Sequence, residues 1–183
     1  MNVPNFITLI RILLVPVMLV FILEGKNLLA LLTFAVAAIS DGLDGFIARV
    51  FNQKTRLGAF LDPLADKLLL STSFIVLAVY GLAPKWLAIM VTSRDLLIMT
   101  GIGILAWDTD FPKIKPTLDG KATTFFQIVT IGFLLAHDYL EPFQWLYTPL
   151  IFCTAVLTAI SGVRYIIIGF RILDKNNMDS NKK

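Results

Sequence analysis

The sequence predicts an all-α protein that crosses a membrane with six helices. Of its 183 residues, 57% are hydrophobic and only 16% are charged, and the mean hydropathy is +0.78. The apolar residues fall into six runs, each about as long as the roughly 20 residues that a helix needs to cross a bilayer. Because open strand edges cannot face lipid, we interpret these runs as helices.

Short polar segments separate the six runs, and we find no internal repeat and no second domain. The runs lie near residues 7–23, 28–48, 58–80, 85–107, 122–140 and 144–170. They predict one membrane domain over residues 1–173. Residues 174–183 are polar, and we predict that they form a disordered tail.

The basic residues predict the orientation of the spans. The loops after the second and fourth runs and the C-terminal end are rich in Lys and Arg, whereas the alternate loops contain only Lys26 and Lys85. By the positive-inside rule, both termini lie in the cytoplasm. The net charge of +3 is too small for a nucleic-acid footprint, so we expect membrane lipids as partners and no nucleic acid.

Four aspartates interrupt the apolar runs. Asp41 and Asp44 lie three residues apart in the second run, and Asp62 and Asp66 lie four apart in the third. Both spacings keep a pair on one helical face. A carboxylate within a membrane helix costs about 2.5–3.5 kcal/mol on insertion scales, so the four require a cation. Two divalent ions would balance the charge, and hard oxygen ligands suit Mg²⁺ or Mn²⁺.

Small residues and one arginine flank the acidic pairs. Gly45 and Gly58, and more weakly Ala48, allow a ligand or another backbone to approach closely. Arg49 offers a bidentate fork that suits phosphate oxygens. If the aspartates only capped helix ends or paired with nearby cations, these spacings and glycines would have no explanation. The pattern therefore predicts a two-metal diphosphate site.

The first run contains three early polar residues, Asn5, Thr8 and Arg11. One interpretation is that Asn5 or Thr8 caps the helix while Arg11 extends to the lipid headgroups. The other is that these residues, Thr8 among them, help to hold an anionic ligand at the cytoplasmic interface.

The stretch from Asp41 to Asp66 resembles the complete signature of the CDP-alcohol phosphotransferases. It reads Asp-x-x-Asp-Gly-x-x-Ala-Arg, eight residues, then Gly-x-x-x-Asp-x-x-x-Asp. The resemblance implies six membrane helices with an active site open to the cytoplasmic interface. It also implies that two metal ions bind Asp41, Asp44, Asp62 and Asp66, that a cytidine diphosphate group contacts Gly45, Ala48, Arg49 and Gly58, and that the general base is Asp66.

The reaction implied by this resemblance is attack of an alcohol hydroxyl on a phosphorus of CDP-diacylglycerol, with release of CMP. The metals would polarise the diphosphate while Asp66 removes the hydroxyl proton. A covalent route through an aspartate nucleophile stays open as an alternative.

Three segments bear on the acceptor alcohol. Residues 2–11, 52–63 and 120–124 resemble bacterial family members that use glycerol 3-phosphate, which implies a bacterial inner-membrane location. A phosphorylated acceptor needs a second cationic pocket. The candidates for this pocket are Lys54, Arg56, Arg94, Lys121 and Arg164.

The surroundings of Arg94 favour a different acceptor. Ser93-Arg94-Asp95, followed by Lys-Pro-Thr at residues 115–117, resembles the cardiolipin synthases of the same family, whose acceptor is phosphatidylglycerol. A second reading of Arg94 is a local ion pair with Asp95, because buried charges are normally paired. We expect glycerol 3-phosphate as the acceptor and keep phosphatidylglycerol as the alternative.

Two functions outside this family also use intramembrane carboxylates. Membrane prenyltransferases bind magnesium diphosphate, but through differently spaced acidic motifs and more helices. A cation transporter would leave the two glycines without a role and would place Arg49 beside a cation path, which opposes transport.

Small residues in the third to sixth helices also allow a homodimer.

Overall fold

The computed structural model describes residues 3–50, 56–108 and 118–180, with side chains described for residues 6–40, 64–101 and 118–169. The described residues form six α-helices and two short 3-10 helices, without strands. The helices are α1 (Val3–Leu23), α2 (Asn27–Val50), α3 (Arg56–Val79), α4 (Lys85–Asp108), α5 (Leu118–Leu135) and α6 (Tyr147–Ser180). The all-α prediction is confirmed, and the first four helices match their predicted runs within a few residues.

The last two helices differ from the predicted runs at their ends. α5 ends at Leu135, and 3-10 helices at His137–Tyr139 and Glu141–Leu146 follow, where the predicted run continued to residue 140. Pro142, which cannot donate a backbone hydrogen bond, prevents regular α-helix in this connection. α6 continues to Ser180, past the predicted start of the tail at residue 174. Residues 171–180 contain no proline or glycine, so nothing in that segment stops a helix.

Two tight turns join α1 to α2 and α3 to α4. Each contains a glycine with positive φ, Gly25 at 69° and Gly81 at 78°. The residue after each glycine bonds back to the preceding helix, Lys26 N–H to the Phe21 carbonyl at 2.9 Å and Leu82 N–H to the Leu77 carbonyl at 2.9 Å. This is the Schellman helix end, in which the left-handed position favours glycine.

The α1–α2, α3–α4 and α5–α6 connections meet at one end of the bundle. Asn27, at the start of α2, donates a hydrogen bond to Asp138 after α5 at 2.7 Å. Tyr147, at the start of α6, donates to the Leu82 carbonyl in the α3–α4 turn at 3.2 Å. The ends of α2 and α4 and the starts of α3 and α5 therefore lie toward the opposite end of the bundle.

The buried face of α1 shows how the helices enter the core. Thr8, Arg11, Val15, Met18 and Ile22 are all buried, and they follow the three- and four-residue spacing of one helical stripe. α1 packs on α2 and α3. The apolar part of the stripe joins the main core, while its polar part lies in the half of α1 nearest the N-terminus.

Large apolar side chains also cover the outside of the bundle. Leu13, Val36, Ile89 and Phe152 are each more than half exposed. Among the described residues, two segments are long and apolar enough to cross a membrane, Phe6–Leu23 and Glu141–Gly169. Such a surface is typical of a protein whose helices face lipid.

Candidate functional site

The two acidic pairs lie on neighbouring helices. Asp41 and Asp44 are on α2, Asp62 and Asp66 are on α3, and α2 contacts α3. Of these four side chains, the structure describes only that of Asp66. The surroundings of five further predicted site residues also lie outside the described part, namely Gly45, Ala48, Arg49, Arg56 and Gly58. Lys54 lies outside the described residues altogether, so the roles of all these residues stay predictions.

Asp66 belongs to a group of charged side chains between α3 and α4. Its side chain is 21% exposed, and Lys67 Nζ lies 4.0 Å from Asp66 Oδ2. The same Nζ lies 3.1 Å from Oδ1 of Asp95. The residue Asp95 is only 2% exposed. Ser71 on α3 donates a hydrogen bond to the other oxygen of Asp95 at 3.4 Å. The predicted general base, Asp66, thus lies beside Lys67, which pairs with the buried carboxylate of Asp95 on α4.

Arg94 extends this group from α4 to α6. Nη1 of Arg94 donates to Asp95 Oδ1 at 2.7 Å, while its Nε and Nη2 donate to Ser161 Oγ at 3.2 and 2.6 Å. The guanidinium also lies over the ring of Tyr165, 5.7 Å from the ring centre, at a distance suited to a cation–π contact. The interpretation of Arg94 as the partner of Asp95 is therefore confirmed, and Ser161 adds a contact to α6.

Arg164 and Lys121, two other predicted acceptor residues, lie near the start of α5. Arg164 on α6 forms an ion pair with Asp119 in the first turn of α5. The side chain of Arg164 is 53% exposed, and Lys121 is exposed as well. Ser161, the partner of Arg94, lies three residues before Arg164 on the same face of α6. The Arg94–Ser161 hydrogen bonds and the Arg164–Asp119 ion pair therefore lie next to each other. The structure thus brings Arg94 and Arg164 to neighbouring positions of α6, and Lys121 lies two residues after the Asp119 partner of Arg164.

Thr8 and Arg11 are both fully buried on α1. The interpretation that Arg11 extends to the lipid headgroups is therefore wrong. The reason is the rotation of α1, since Arg11 lies on the same stripe as the core residues Val15 and Met18. Thr8 and Arg11 both have partners within the protein, and the interpretation that this segment helps to hold an anionic ligand stays a prediction.

A line of buried polar side chains fastens α5 to α6. Thr123 Oγ1 donates to the Leu157 carbonyl at 3.0 Å, and the hydroxyls of Thr130 and Thr154 lie 2.7 Å apart. Gln127 donates to Thr158 at 3.5 Å. These bonds tie together the two helices that carry Asp119 and Arg164, so they determine where that ion pair lies.

The described side chains fit the predicted metal site as far as they reach. No three His, Cys, Asp or Glu side chains converge within this part of the chain, which includes only one of the four predicted ligands. That ligand, Asp66, offers carboxylate oxygens, the donors that Mg²⁺ and Mn²⁺ prefer. The spacing of Asp62 and Asp66 within the continuous helix α3 keeps both on one face.

Sequence reasoning did not identify Lys67, Asp119 or Ser161 as site residues. Lys67 could have been suspected from its position directly after Asp66, and Asp119 from its position two residues before Lys121. Ser161 offers no such signal, because its role depends on Arg94 of another helix.

The chain is similar to one known protein family and to several named proteins. The family described as CDP-alcohol phosphatidyltransferase matches residues 1–166. A Bacillus subtilis (strain 168) protein named CDP-diacylglycerol–glycerol-3-phosphate 3-phosphatidyltransferase is 32% identical over 96% of this chain and 99% of its own length. A protein of Aquifex aeolicus (strain VF5) with the same name is 34% identical over 96% of this chain and 99% of its own length. The cardiolipin synthase (CMP-forming) of Rattus norvegicus is 35% identical over 90% of this chain but only 60% of its own length.

Proposed function

Because the chain belongs to the CDP-alcohol phosphatidyltransferase family, we propose that it transfers the phosphatidyl group of CDP-diacylglycerol to glycerol 3-phosphate and releases CMP. The observation that carries this proposal is the complete acidic motif, which lies on the neighbouring helices α2 and α3 within the matched region. The product would be a phospholipid precursor, which places the enzyme in phospholipid biosynthesis.

The proposed roles of the residues follow from their chemistry. Two Mg²⁺ or Mn²⁺ ions held by Asp41, Asp44, Asp62 and Asp66 would neutralise the diphosphate and favour departure of CMP. Arg49 binds diphosphate oxygens, while Gly45, Ala48 and Gly58 leave room for the nucleotide. Thr8 borders the same site from α1. Asp66 accepts the proton of the attacking hydroxyl as the new phosphodiester bond forms.

Two exposed cations support a phosphorylated acceptor. Arg164 and Lys121 lie near the start of α5, and neither is buried. Arginine and lysine both bind phosphate, arginine through a planar fork and lysine as a point charge. We propose that they hold the phosphate of glycerol 3-phosphate together with Lys54 and Arg56, and that Arg94 forms the buried wall of this pocket.

Phosphatidylglycerol is the second candidate acceptor. It is favoured by the cardiolipin synthase relative and by the Ser-Arg-Asp sequence at residues 93–95. Because this chain spans only 60% of the rat enzyme's length, that enzyme's acceptor is a weaker guide than the acceptor named for relatives matched over 99% of their length.

An acceptor panel tests the proposal. We expect purified protein with CDP-diacylglycerol and Mg²⁺ to release CMP rapidly with glycerol 3-phosphate, and at least about tenfold more slowly with phosphatidylglycerol, inositol phosphate or serine. Excess chelator is expected to stop release with every acceptor, because the diphosphate charge then lacks its counter-ions. Turnover with phosphatidylglycerol alone would reverse the acceptor assignment, and full turnover in chelator would contradict the metal site.

The membrane arrangement belongs to the same proposal. We infer that all six helices span the bacterial inner membrane, that both termini are cytoplasmic and that the acidic motif opens to the cytoplasm, where a charged acceptor is available. The clustering of basic residues in alternate loops supports this orientation. A homodimer through small residues of the third to sixth helices is compatible with it.

The Asp119–Arg164 pair yields a prediction about acceptor affinity. Asp119 neutralises the charge of Arg164. Replacing Asp119 with asparagine removes this ion pair, so that Arg164 can bind the acceptor phosphate. An exposed ion pair contributes about 0.2–1 kcal/mol, so we expect the KM for glycerol 3-phosphate to fall about two- to fivefold, with kcat unchanged. Asp138→Asn, at the other end of the bundle, is the matched control and should leave KM unaltered. A higher KM in Asp119→Asn would mean that Asp119 itself binds the acceptor.

A further inference from the structure

Lys67 follows the proposed general base in sequence but contacts a different carboxylate more closely. Its Nζ lies 3.1 Å from Asp95 Oδ1 and 4.0 Å from Asp66 Oδ2. Arg94 Nη1 contacts the same oxygen of Asp95 at 2.7 Å, and Ser71 donates to the other oxygen. Asp95 is thus a buried acceptor shared by side chains of α3 and α4.

The geometry of α3 explains why Lys67 has this choice. Adjacent helical residues do not face each other, so Lys67 and Asp66 leave the helix in different directions. Lysine nevertheless has a long flexible stem and a compact charge that can move between nearby carboxylates. Asp95, on the packed helix α4, therefore influences how closely the ammonium approaches Asp66.

We propose that Asp95 is a positioning residue that draws Lys67 away from a closer contact with Asp66 and so weakens the competition between that ammonium and a divalent cation for the Asp66 carboxylate. This inference rests on the proposed function, because it requires Asp66 to be a metal ligand. Arg94 supports the same arrangement by fixing Asp95 from its own helix and by anchoring to Ser161 on α6.

The size of the effect follows from the distances. If Asp95 lost its charge, Lys67 would move from about 4 Å to about 3 Å from the Asp66 oxygen. At an effective dielectric constant of about 20, this shortening raises the equilibrium constant for pairing of the ammonium with the Asp66 carboxylate about tenfold. A metal ion would compete against this stronger pair, so its affinity would fall by a similar factor.

Direct metal binding tests the proposal without turnover. Mn²⁺ binding to the full-length protein in detergent, without substrate, is measured by electron paramagnetic resonance for Asp95→Asn, Lys67→Met and the double variant. We expect Asp95→Asn to bind Mn²⁺ about tenfold more weakly. The double variant should regain affinity to within about twofold of the unsubstituted protein, because the competing ammonium is gone. Lys85→Met, at the start of the same helix as Asp95, is the matched control and should change nothing.

Several results would overturn this proposal. Unchanged Mn²⁺ affinity in Asp95→Asn, or equally weak binding in the double variant, would mean that Asp95 does not act through Lys67. Lys67→Met keeps the Arg94–Asp95 pair, so it tests the idea even where Asp95→Asn fails to fold. It should bind Mn²⁺ at least as tightly as the unsubstituted protein, and weaker binding would contradict the proposal. Absence of Mn²⁺ binding by the unsubstituted protein would overturn the two-metal proposal itself, together with this inference.

Discussion

Replacing Asp62 with asparagine is expected to reduce CMP release from CDP-diacylglycerol by more than about a hundredfold. Even partners that only orient a metal ligand contribute about 10–100-fold to metal affinity or activity, so losing a ligand should cost more. The substitution keeps the size of the side chain and removes one negative charge from the proposed metal site. Release of CMP is measured with glycerol 3-phosphate over a range of Mg²⁺ and Mn²⁺ concentrations.

The control for this experiment is the same substitution at a distant aspartate. Asp138 lies after α5, bonded to Asn27, at the end of the bundle opposite the acidic motif. We expect Asp138→Asn to retain CMP release within about twofold. Full activity of Asp62→Asn would exclude the proposed ligand set, whereas recovery only at high metal concentration would support it.

Replacing Arg94 with methionine is expected to lower the free energy of unfolding of the protein. Removing one member of a buried ion pair typically costs about 3–5 kcal/mol, because the remaining charge stays buried without its partner. Here Lys67 still contacts Asp95 at 3.1 Å, so we expect a smaller loss of about 2–3 kcal/mol. The variant also loses both hydrogen bonds from α4 to Ser161 on α6.

Thermal unfolding in detergent measures this loss. At about 2–4 °C per kcal/mol for a chain of this size, the midpoint should fall by about 4–12 °C. Lys85→Met removes a cation from the exposed start of the same helix and should lower the midpoint by less than about 2 °C. Equal midpoints for the two variants would show that the Arg94 contacts add no stability.

The sequence predicted the helices well because hydropathy and helix-breaking residues act locally. Runs of apolar residues mark α1 to α4 within a few residues, and the glycines at positions 25 and 81 lie at tight turns. The prediction was poorer after Leu135, where apolar and polar residues alternate through two 3-10 helices. The acidic motif could also be read directly, since its residues lie on two helices joined by a short connection.

The partners of the buried charges could not be predicted in the same way. Sequence spacing alone allows Lys67 to pair with Asp66 and Arg11 to reach the headgroups, whereas the fold places Lys67 nearer Asp95 and buries Arg11 completely. Periodicity tells which residues share a face of one helix, but a contact between helices depends on how each is rotated against its neighbour. For this reason the sequence was sufficient for the family, the helices and the acidic motif, while the packing of α3, α4 and α6 decides how the cations around that motif are held.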